Sequence, residues 1–199
     1  MEPGNAGLSN FGHQVVERLN AERLVVDLSH GSPRTTSEAI RASKAPVLIG
    51  HTGCRALSDL PRNVGDAELR ALAEKGGVAG IIFWPYLRVD TQPMAIDVIR
   101  HLEHAIKVCG EDHVGIGSDV PFFHVDDADL AEMKQAAEKR KADGIAAPGE
   151  DRPTYIPDLN TPRKMDLIAD ALLKRGHKAA AVEKILGANF RRVFGEIWS

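Results

Sequence analysis

The sequence has little cysteine and no excess of charge of one sign. Its 199 residues include two cysteines, Cys54 and Cys109, which stand far apart and form no Cys-x-x-Cys motif. Neither a disulfide scaffold nor a zinc ribbon is supported, and both thiols are expected to be buried as small apolar groups. Lysine and arginine total 25 against 28 acidic residues. No basic surface is therefore expected to bind nucleic acid.

Long hydrophobic runs are also missing. The longest, such as residues 78–84, fall far short of the roughly 20 residues that cross a bilayer. The first five residues do not resemble a signal peptide. We expect a cytoplasmic protein that makes no membrane contact. No repeat, low-complexity tract or Ser/Gly linker divides the chain, so residues 1–199 are expected to form a single domain.

Short, continuous apolar segments recur along the chain and are typical of strands buried on both faces of a parallel sheet. Four such segments lie at residues 24–28, 45–49, 77–83 and 113–117. Segments of helical period separate them, so strands and helices alternate. This order predicts an α/β fold with four parallel strands.

The predicted helices begin at recognisable residues. Ser9 can cap the first, Thr35 opens a sequence with the form of a capping box, Asp66 can cap the third, and Pro93 suits the first turn of the fourth. Helical period after the fourth strand predicts three more helices, at about residues 127–143, 161–175 and 178–197, with a proline-rich loop at 147–162.

This alternation allows either an open doubly wound sheet or part of a barrel. The dinucleotide-binding form of the first is weakly supported, because Gly115-Ile116-Gly117 lacks a third glycine and Asp119 would repel a pyrophosphate. A complete (βα)8 barrel takes about 250 residues. Four strands therefore correspond to half of a TIM-type barrel.

Polar side chains follow three of the predicted strands directly. His30, His51 and Asp119 each come just after an apolar segment, where parallel α/β folds gather their functional groups. Two imidazoles and a carboxylate at one rim suit a divalent metal, Zn²⁺ above all, with the carboxylate orienting water. The alternative is that each is a polar residue satisfied by backbone hydrogen bonds.

The other histidines form no such pattern. Surface or helix-end packing is expected for five of them, and the sixth belongs to the first helix without a partner evident in the sequence. The five are His101, His104, His113, His124 and His177, and the sixth is His13.

Six segments carry a more specific pattern in their order and spacing. They are Gly7-Leu8-Ser9-Asn10-Phe11-Gly12, Val26-Asp27-Leu28-Ser29-His30, Pro46-Val47-Leu48-Ile49-Gly50-His51, Arg62-Asn63-Val64, Asp112-His113-Val114-Gly115-Ile116-Gly117-Ser118-Asp119 and Ile185-Leu186-Gly187-Ala188-Asn189-Phe190. Together these segments resemble the membrane (renal) dipeptidase family of zinc peptidases, over nearly the whole chain.

The resemblance implies a (βα)8 barrel of the amidohydrolase superfamily with two zinc ions, which cleaves dipeptides, some with a D-residue in second position. It implies that His30 and His51 bind the second zinc. It also implies that Asp119 hydrogen-bonds the metal-bridging hydroxide and handles its proton, and that Arg62 binds the carboxylate of the substrate. A planar guanidinium suits that task because it pairs bidentately with a carboxylate. Without the resemblance, Arg62 would be interpreted as a surface charge.

Parts of the family's pattern are missing from this sequence. A His-x-Asp pair and a bridging Glu would precede residue 1, and the one His-x-Asp motif here, His124-Val125-Asp126, lies on the wrong side of Asp119. The family's Asp-Phe-Asp-Gly is altered, since Val120-Pro121-Phe122 follow Asp119. The chain is therefore expected to resemble the carboxyl-terminal half of the barrel, with one partial zinc site and little activity by itself.

A half barrel leaves strand edges unpaired and its inner face without an opposite wall. We expect a homo-oligomer or a missing amino-terminal half, because Val26, Leu48 and Ile82, or their strand neighbours, would otherwise lie on an exposed concave surface. The leading interpretation is a metal-dependent dipeptidase that acts through a zinc-bound hydroxide. The alternative is a non-catalytic half barrel that binds metal or serves as an assembly module.

Overall fold

Four parallel strands form one sheet in the order β1-β2-β3-β4 in the computed structural model, which describes residues 4–199. The strands are β1 (Val26–Asp27), β2 (Val47–Thr52), β3 (Val78–Ile81) and β4 (Val114–Ile116). Leu48 of β2 pairs with Val78 of β3 and Gly80 of β3 pairs with Gly115 of β4, and the register between β2 and β3 shifts between Ile49 and Thr52. The four predicted strands and their parallel order are confirmed. Their limits differ, because β2 extends to Thr52 and so contains His51.

Eight α-helices lie before, among and after the strands in the described residues. They are α1 (Asn10–Ala21), α2 (Pro33–Ala42), α3 (Asp66–Glu74), α4 (Ala95–Cys109), α5 (Asp127–Ala142), α6 (Lys164–Lys174), α7 (Ala179–Glu183) and α8 (Asn189–Trp198). A π-helical turn at Lys184–Ala188 joins the last two helices, so the helix predicted at 178–197 is interrupted there.

Three predicted helix starts are wrong by a few residues. Ser32, not Thr35, caps α2, and its hydroxyl accepts a hydrogen bond from the Thr35 amide at 3.3 Å. Pro33 favours this earlier start because a proline fits the first turn, where no amide partner is needed. Asp66 is the first residue of α3 rather than its cap, and Pro93 precedes α4. The Ser9 cap is confirmed by its bond to the Gly12 amide.

The main core lies between the sheet and helices α2, α3 and α4. Ile49 and Ala79 are fully buried there with Leu69 of α3 and Leu102 of α4. Burying such side chains stabilises each by about 1.5–3 kcal/mol relative to an exposed position. This packing fixes the sheet, and the carboxyl ends of its strands carry the polar residues of interest.

Helix α8 covers a second set of strand residues. Its Val193 and Ile197 pack against Leu48 of β2 and Val78 of β3. The expectation that Val26, Leu48 and Ile82 lie on an exposed concave surface is wrong, since they are 4%, 4% and 1% exposed. Helix α8 covers Leu48, whereas Val26 and Ile82 are buried in the main core. The apolar face of α8 thus buries one strand residue that was expected to be exposed.

Both cysteines are free and buried, as expected. No helix within residues 4–199 combines the length and the hydropathy that a membrane span requires.

Candidate metal and substrate site

Four residues meet at the carboxyl ends of the strands. His30 lies in the turn after β1, His51 lies in the last part of β2, and Asp119 lies three residues beyond β4. Arg62 comes from the loop that joins β2 to α3, and its side chain reaches back to the two histidines. The structure thus brings His30, His51 and Arg62 into contact, with the charge of Asp119 near enough to act on both rings.

The two imidazoles converge on the guanidinium of Arg62. Its Nη2 lies 3.2 Å from Nε2 of His30 and 3.0 Å from Nδ1 of His51, and its Nη1 donates to the carbonyl oxygen of Ser29. The two rings stand edge to face with centroids 5.0 Å apart. Because a guanidinium only donates, the facing nitrogen of each ring must accept, which places the ring protons on the opposite nitrogens.

A network at the end of β1 holds the His30 turn against β2. The Asp27 carboxylate accepts hydrogen bonds from the amide and hydroxyl of Ser29 and from the amide of Gly50. The Ser29 hydroxyl in turn accepts from the His51 amide at 3.2 Å. These bonds fix the backbone of both histidines relative to each other.

Burial keeps both imidazoles neutral to lower pH than usual. It is the largest cause that lowers the pKa of His30 and of His51, and the positive charge of Arg62 lowers both pKa values further. The negative charge of Asp119 raises the pKa of both rings, so this charge lies close to the pair. Two neutral rings with inward-facing lone pairs result.

This donor set fits part of a metal site. Neutral imidazole nitrogens are common zinc ligands, and tetrahedral zinc takes four ligands in all. The facing nitrogens of His30 and His51 could hold such an ion at the point where Arg62 now lies. No group of three or more histidine, cysteine or acidic side chains in residues 4–199 is arranged to hold a metal. The two histidines therefore form half of a ligand set.

Two aromatic residues that the sequence reasoning missed border this group. Trp84 follows β3, and its indole Nε1 donates to the Asp119 carbonyl oxygen at 2.6 Å. Tyr86 stacks on Trp84 and has the Arg62 guanidinium 5.7 Å from its ring centroid. Its hydroxyl donates to the Glu150 carboxylate at 2.6 Å. Both residues follow a predicted strand, and this position could have marked them as candidates. The same criterion selected His30, His51 and Asp119.

Five of the six histidines that were set aside make structural contacts. Four of them have a ring nitrogen at hydrogen-bonding distance from a backbone oxygen or a carboxylate, and His101 is held at both ring nitrogens inside the core. The contacts are His101 with the Cys54 amide and the Leu87 oxygen, His104 with Asp66, His113 with the Gly77 oxygen, His124 with the Asn160 oxygen and His177 with Glu103. Asp126, the partner in the His-x-Asp motif, caps α5.

The family model described as membrane dipeptidase, peptidase family M19, matches residues 1–138. The chain belongs to this family. Among its relatives, the dipeptidase tcpJ of Claviceps purpurea is 31% identical over 197 residues, which cover 98% of this chain and 40% of that protein. The dipeptidase verJ of Clonostachys rogersoniana is 30% identical over 98% of this chain and 43% of that protein. The chain thus spans less than half the length of these two relatives.

Solved structures support the fold of this dipeptidase-family chain. An amidohydrolase from Pseudomonas aeruginosa is 30% identical with a TM-score of 0.80, over 97% of this chain and 58% of that one. A metallo peptidase from Rhodobacter sphaeroides, liganded with a phosphinate mimic of dipeptide L-Ala-D-Ala, is 24% identical with a TM-score of 0.75. The match covers 96% of this chain and 48% of the peptidase chain. The α/β fold is thus of the TIM-barrel type, and this chain accounts for about half of these related structures.

Proposed function

We propose that the chain provides part of the active site of a metal-dependent dipeptidase. The observation that carries the proposal is the convergence of His30 and His51 on one point, with Asp119 and Arg62 beside it. Membership of the membrane dipeptidase family supports the reaction class. The proposed substrate is a dipeptide, and the proposed metal is zinc, since neutral imidazoles suit it.

Each of the four residues has a proposed role. His30 and His51 would hold one zinc ion, which when bound supplies Lewis-acid polarisation of the scissile carbonyl and activates water. Asp119 would accept a proton from that water and pass it to the leaving amine. Arg62 would pair with the terminal carboxylate of the dipeptide through two parallel hydrogen bonds. The charges match, because a dipeptide presents one carboxylate.

Arg62 would have to change its partners during this reaction. Its Nη1 is engaged by Ser29 and its Nη2 by the two imidazoles. A guanidinium held in this way leaves few donors for a carboxylate. The ring of Tyr86, 5.7 Å from the guanidinium carbon, offers a surface on which Arg62 could stay packed after it leaves the histidines.

A second function rests on the incomplete ligand set. The described residues offer only two converging nitrogens and no larger ligand group, which favours a non-catalytic half barrel that binds metal or serves in assembly. In the catalytic case, further ligands would come from a second copy or from an amino-terminal half. Strands β1 and β4 end the sheet on its two sides, and such a partner would pair there.

Metal-dependent hydrolysis of L-Ala-D-Ala and L-Ala-L-Ala by the purified chain tests the proposal. We expect slow turnover, well below the order of 10 per second typical of enzymes, which a chelator abolishes and His51→Asn removes. His13→Asn is the matched control, because His13 lies on exposed α1 and is not part of the site. Absence of zinc-stimulated hydrolysis, both by the chain alone and after an amino-terminal half barrel of a family member is added, would contradict the catalytic proposal and favour the non-catalytic one. Light scattering of the same samples tests the expected dimer or larger oligomer, which a compact monomer at micromolar concentration would contradict.

A further inference from the structure

The backbone that carries Asp119 leaves the sheet in a left-handed conformation. Asp119 is exposed and has φ of 52°, in the left-handed region that residues with a Cβ rarely adopt. The last bond between the strands here joins the Phe83 amide to the Ser118 carbonyl at 3.0 Å. Beyond that point no strand pairing holds the loop at residues 119–123.

Two side chains hold this loop through its carbonyl oxygens. Trp84 Nε1 donates to the oxygen of Asp119 at 2.6 Å, across 35 residues of sequence. Lys164 Nζ donates to the oxygen of Pro121, across 43 residues. Both contacts are to the backbone, so they set where the loop lies without engaging the Asp119 carboxylate.

Lys164 is an unexpected residue at its position. It is 3% exposed, and none of the ion pairs found within residues 4–199 includes it. It is also the first residue of α6, where the helix dipole disfavours a positive charge. An uncharged residue of similar size would avoid each of these costs. The ammonium group is instead directed at the loop, with the Pro121 oxygen as acceptor and the Phe122 ring 5.9 Å away.

Trp84 is itself held in place. Its ring stacks on Tyr86 with centroids 5.7 Å apart and planes inclined by 14°, and Tyr86 is fixed by its hydrogen bond to Glu150. A Phe at position 84 would keep this stacking but would lose the indole N–H. The donor can therefore be removed without removing the ring.

We propose that Trp84 and Lys164 are positioning residues that hold Asp119 in its left-handed conformation over the site formed by His30 and His51. The proposal rests on the proposed function, in which Asp119 moves a proton. The two donors fix the position of this loop, which no strand pairing holds. The loop continues from the aspartate as Val120-Pro121-Phe122. Loss of either donor should displace the Asp119 carbonyl and with it the carboxylate.

The indole N–H signal of Trp84 in a ¹⁵N-labelled sample reports directly on this arrangement. The chain has two tryptophans, so Trp198→Phe assigns the two indole signals. We expect the Trp84 signal to lie downfield and to be protected. In Lys164→Met it should move upfield and exchange with solvent about fivefold faster, because the acceptor loop is released. Lys164→Arg, which keeps a donor, should retain the wild-type signal.

Lys174→Met is the matched control, since Lys174 is exposed at the other end of α6. An unchanged Trp84 signal in Lys164→Met, or an equal change in Lys174→Met, would overturn the proposal. Trp84→Phe provides a second variant that removes only one donor. It should shift the backbone amide signals of residues 119, 120, 122 and 123 while leaving those of α3 in place, and unshifted loop signals would likewise contradict the proposal.

Kinetics distinguish positioning from substrate binding. If the wild-type chain hydrolyses dipeptides, Trp84→Phe and Lys164→Met should each lower kcat about tenfold with KM unchanged, as loss of an interaction needed in the chemical step does. Lys164→Arg should restore kcat. A rise in KM with unchanged kcat would overturn the proposal. If the wild-type chain shows no hydrolysis either alone or with an added amino-terminal half barrel, the proposed function has failed, and the indole signal alone decides whether these residues hold the loop.

Discussion

The guanidinium of Arg62 bridges the rings of His30 and His51, with its Nη2 3.2 Å from one ring nitrogen and 3.0 Å from the other. One cationic group thus lies at the point where two neutral imidazole lone pairs meet. In the proposed dipeptidase, a metal ion and Arg62 compete for this point. The competition links metal binding to the release of the group that would bind the substrate carboxylate.

Removing Arg62 is therefore expected to strengthen zinc binding. Arg62→Met frees both ring nitrogens and removes a nearby positive charge, so the affinity for Zn²⁺ should rise about tenfold. Competition with a chromophoric chelator measures the change. Arg41→Met is the control, because Arg41 is exposed on α2. Equal or weaker zinc binding by Arg62→Met would show that the guanidinium does not occupy the metal position.

A buried histidine away from the site should make stability depend on pH. His101 is 1% exposed, its Nδ1 accepts from the Cys54 amide at 2.9 Å, and burial lowers its pKa from 6.5 to about 4. The unfolded chain takes up this proton at higher pH than the folded chain does. Stability should therefore fall as the pH falls from 6.5 towards 4, by about 3 kcal/mol at 1.36 kcal/mol per pH unit.

Urea unfolding between pH 4 and pH 7 measures this dependence. His101→Gln can still accept from Cys54 and donate to Leu87 but cannot take up a proton. The difference in unfolding free energy between wild type and this variant should depend on pH across that window. A constant difference would contradict the assignment, because carboxyl groups titrate alike in both proteins.

Close approach of β2 and β4 residues makes Gly117 hard to replace. A Cβ at position 117 would overlap the carbonyl oxygen of Gly50, which is backbone and cannot rotate away. Gly117→Ala should therefore destabilise the fold by at least about 3 kcal/mol. Gly195→Ala is the matched control, since no atom lies within 4 Å of a Cβ there. In helix α8 that change should be neutral or stabilising by up to about 1 kcal/mol. Thermal or urea unfolding of both variants measures these changes in stability. Equal changes in Gly117→Ala and Gly195→Ala would contradict the packing described.

Local patterns in the sequence predict much of the fold. The four apolar segments give the four parallel strands, because residues buried on both faces leave a continuous hydrophobic run. The same reasoning places His30, His51 and Asp119 at one edge. Helix starts are less certain, as Ser32 and Thr35 both have side chains that can cap a helix. The nearby proline decides between them.

Contacts between distant parts of the chain could not be read from such patterns. Trp84 and Lys164 reach the Asp119 loop across 35 and 43 residues, and neither carries a local signal of that contact. The cover of Leu48 by Val193 depends on where α8 returns to the sheet. Likewise, nothing in the spacing of Arg62 indicates that its guanidinium lies between two histidines.

The central claim is that His30 and His51 hold one metal ion together. X-ray absorption of the zinc-loaded chain tests this claim most directly. The account predicts two imidazole nitrogens at about 2.0–2.1 Å from the zinc, one of which is lost in His30→Asn and one in His51→Asn. His13→Asn should leave the spectrum unchanged. A zinc shell that keeps both imidazoles in either site variant, or that contains none in the wild type, would contradict it.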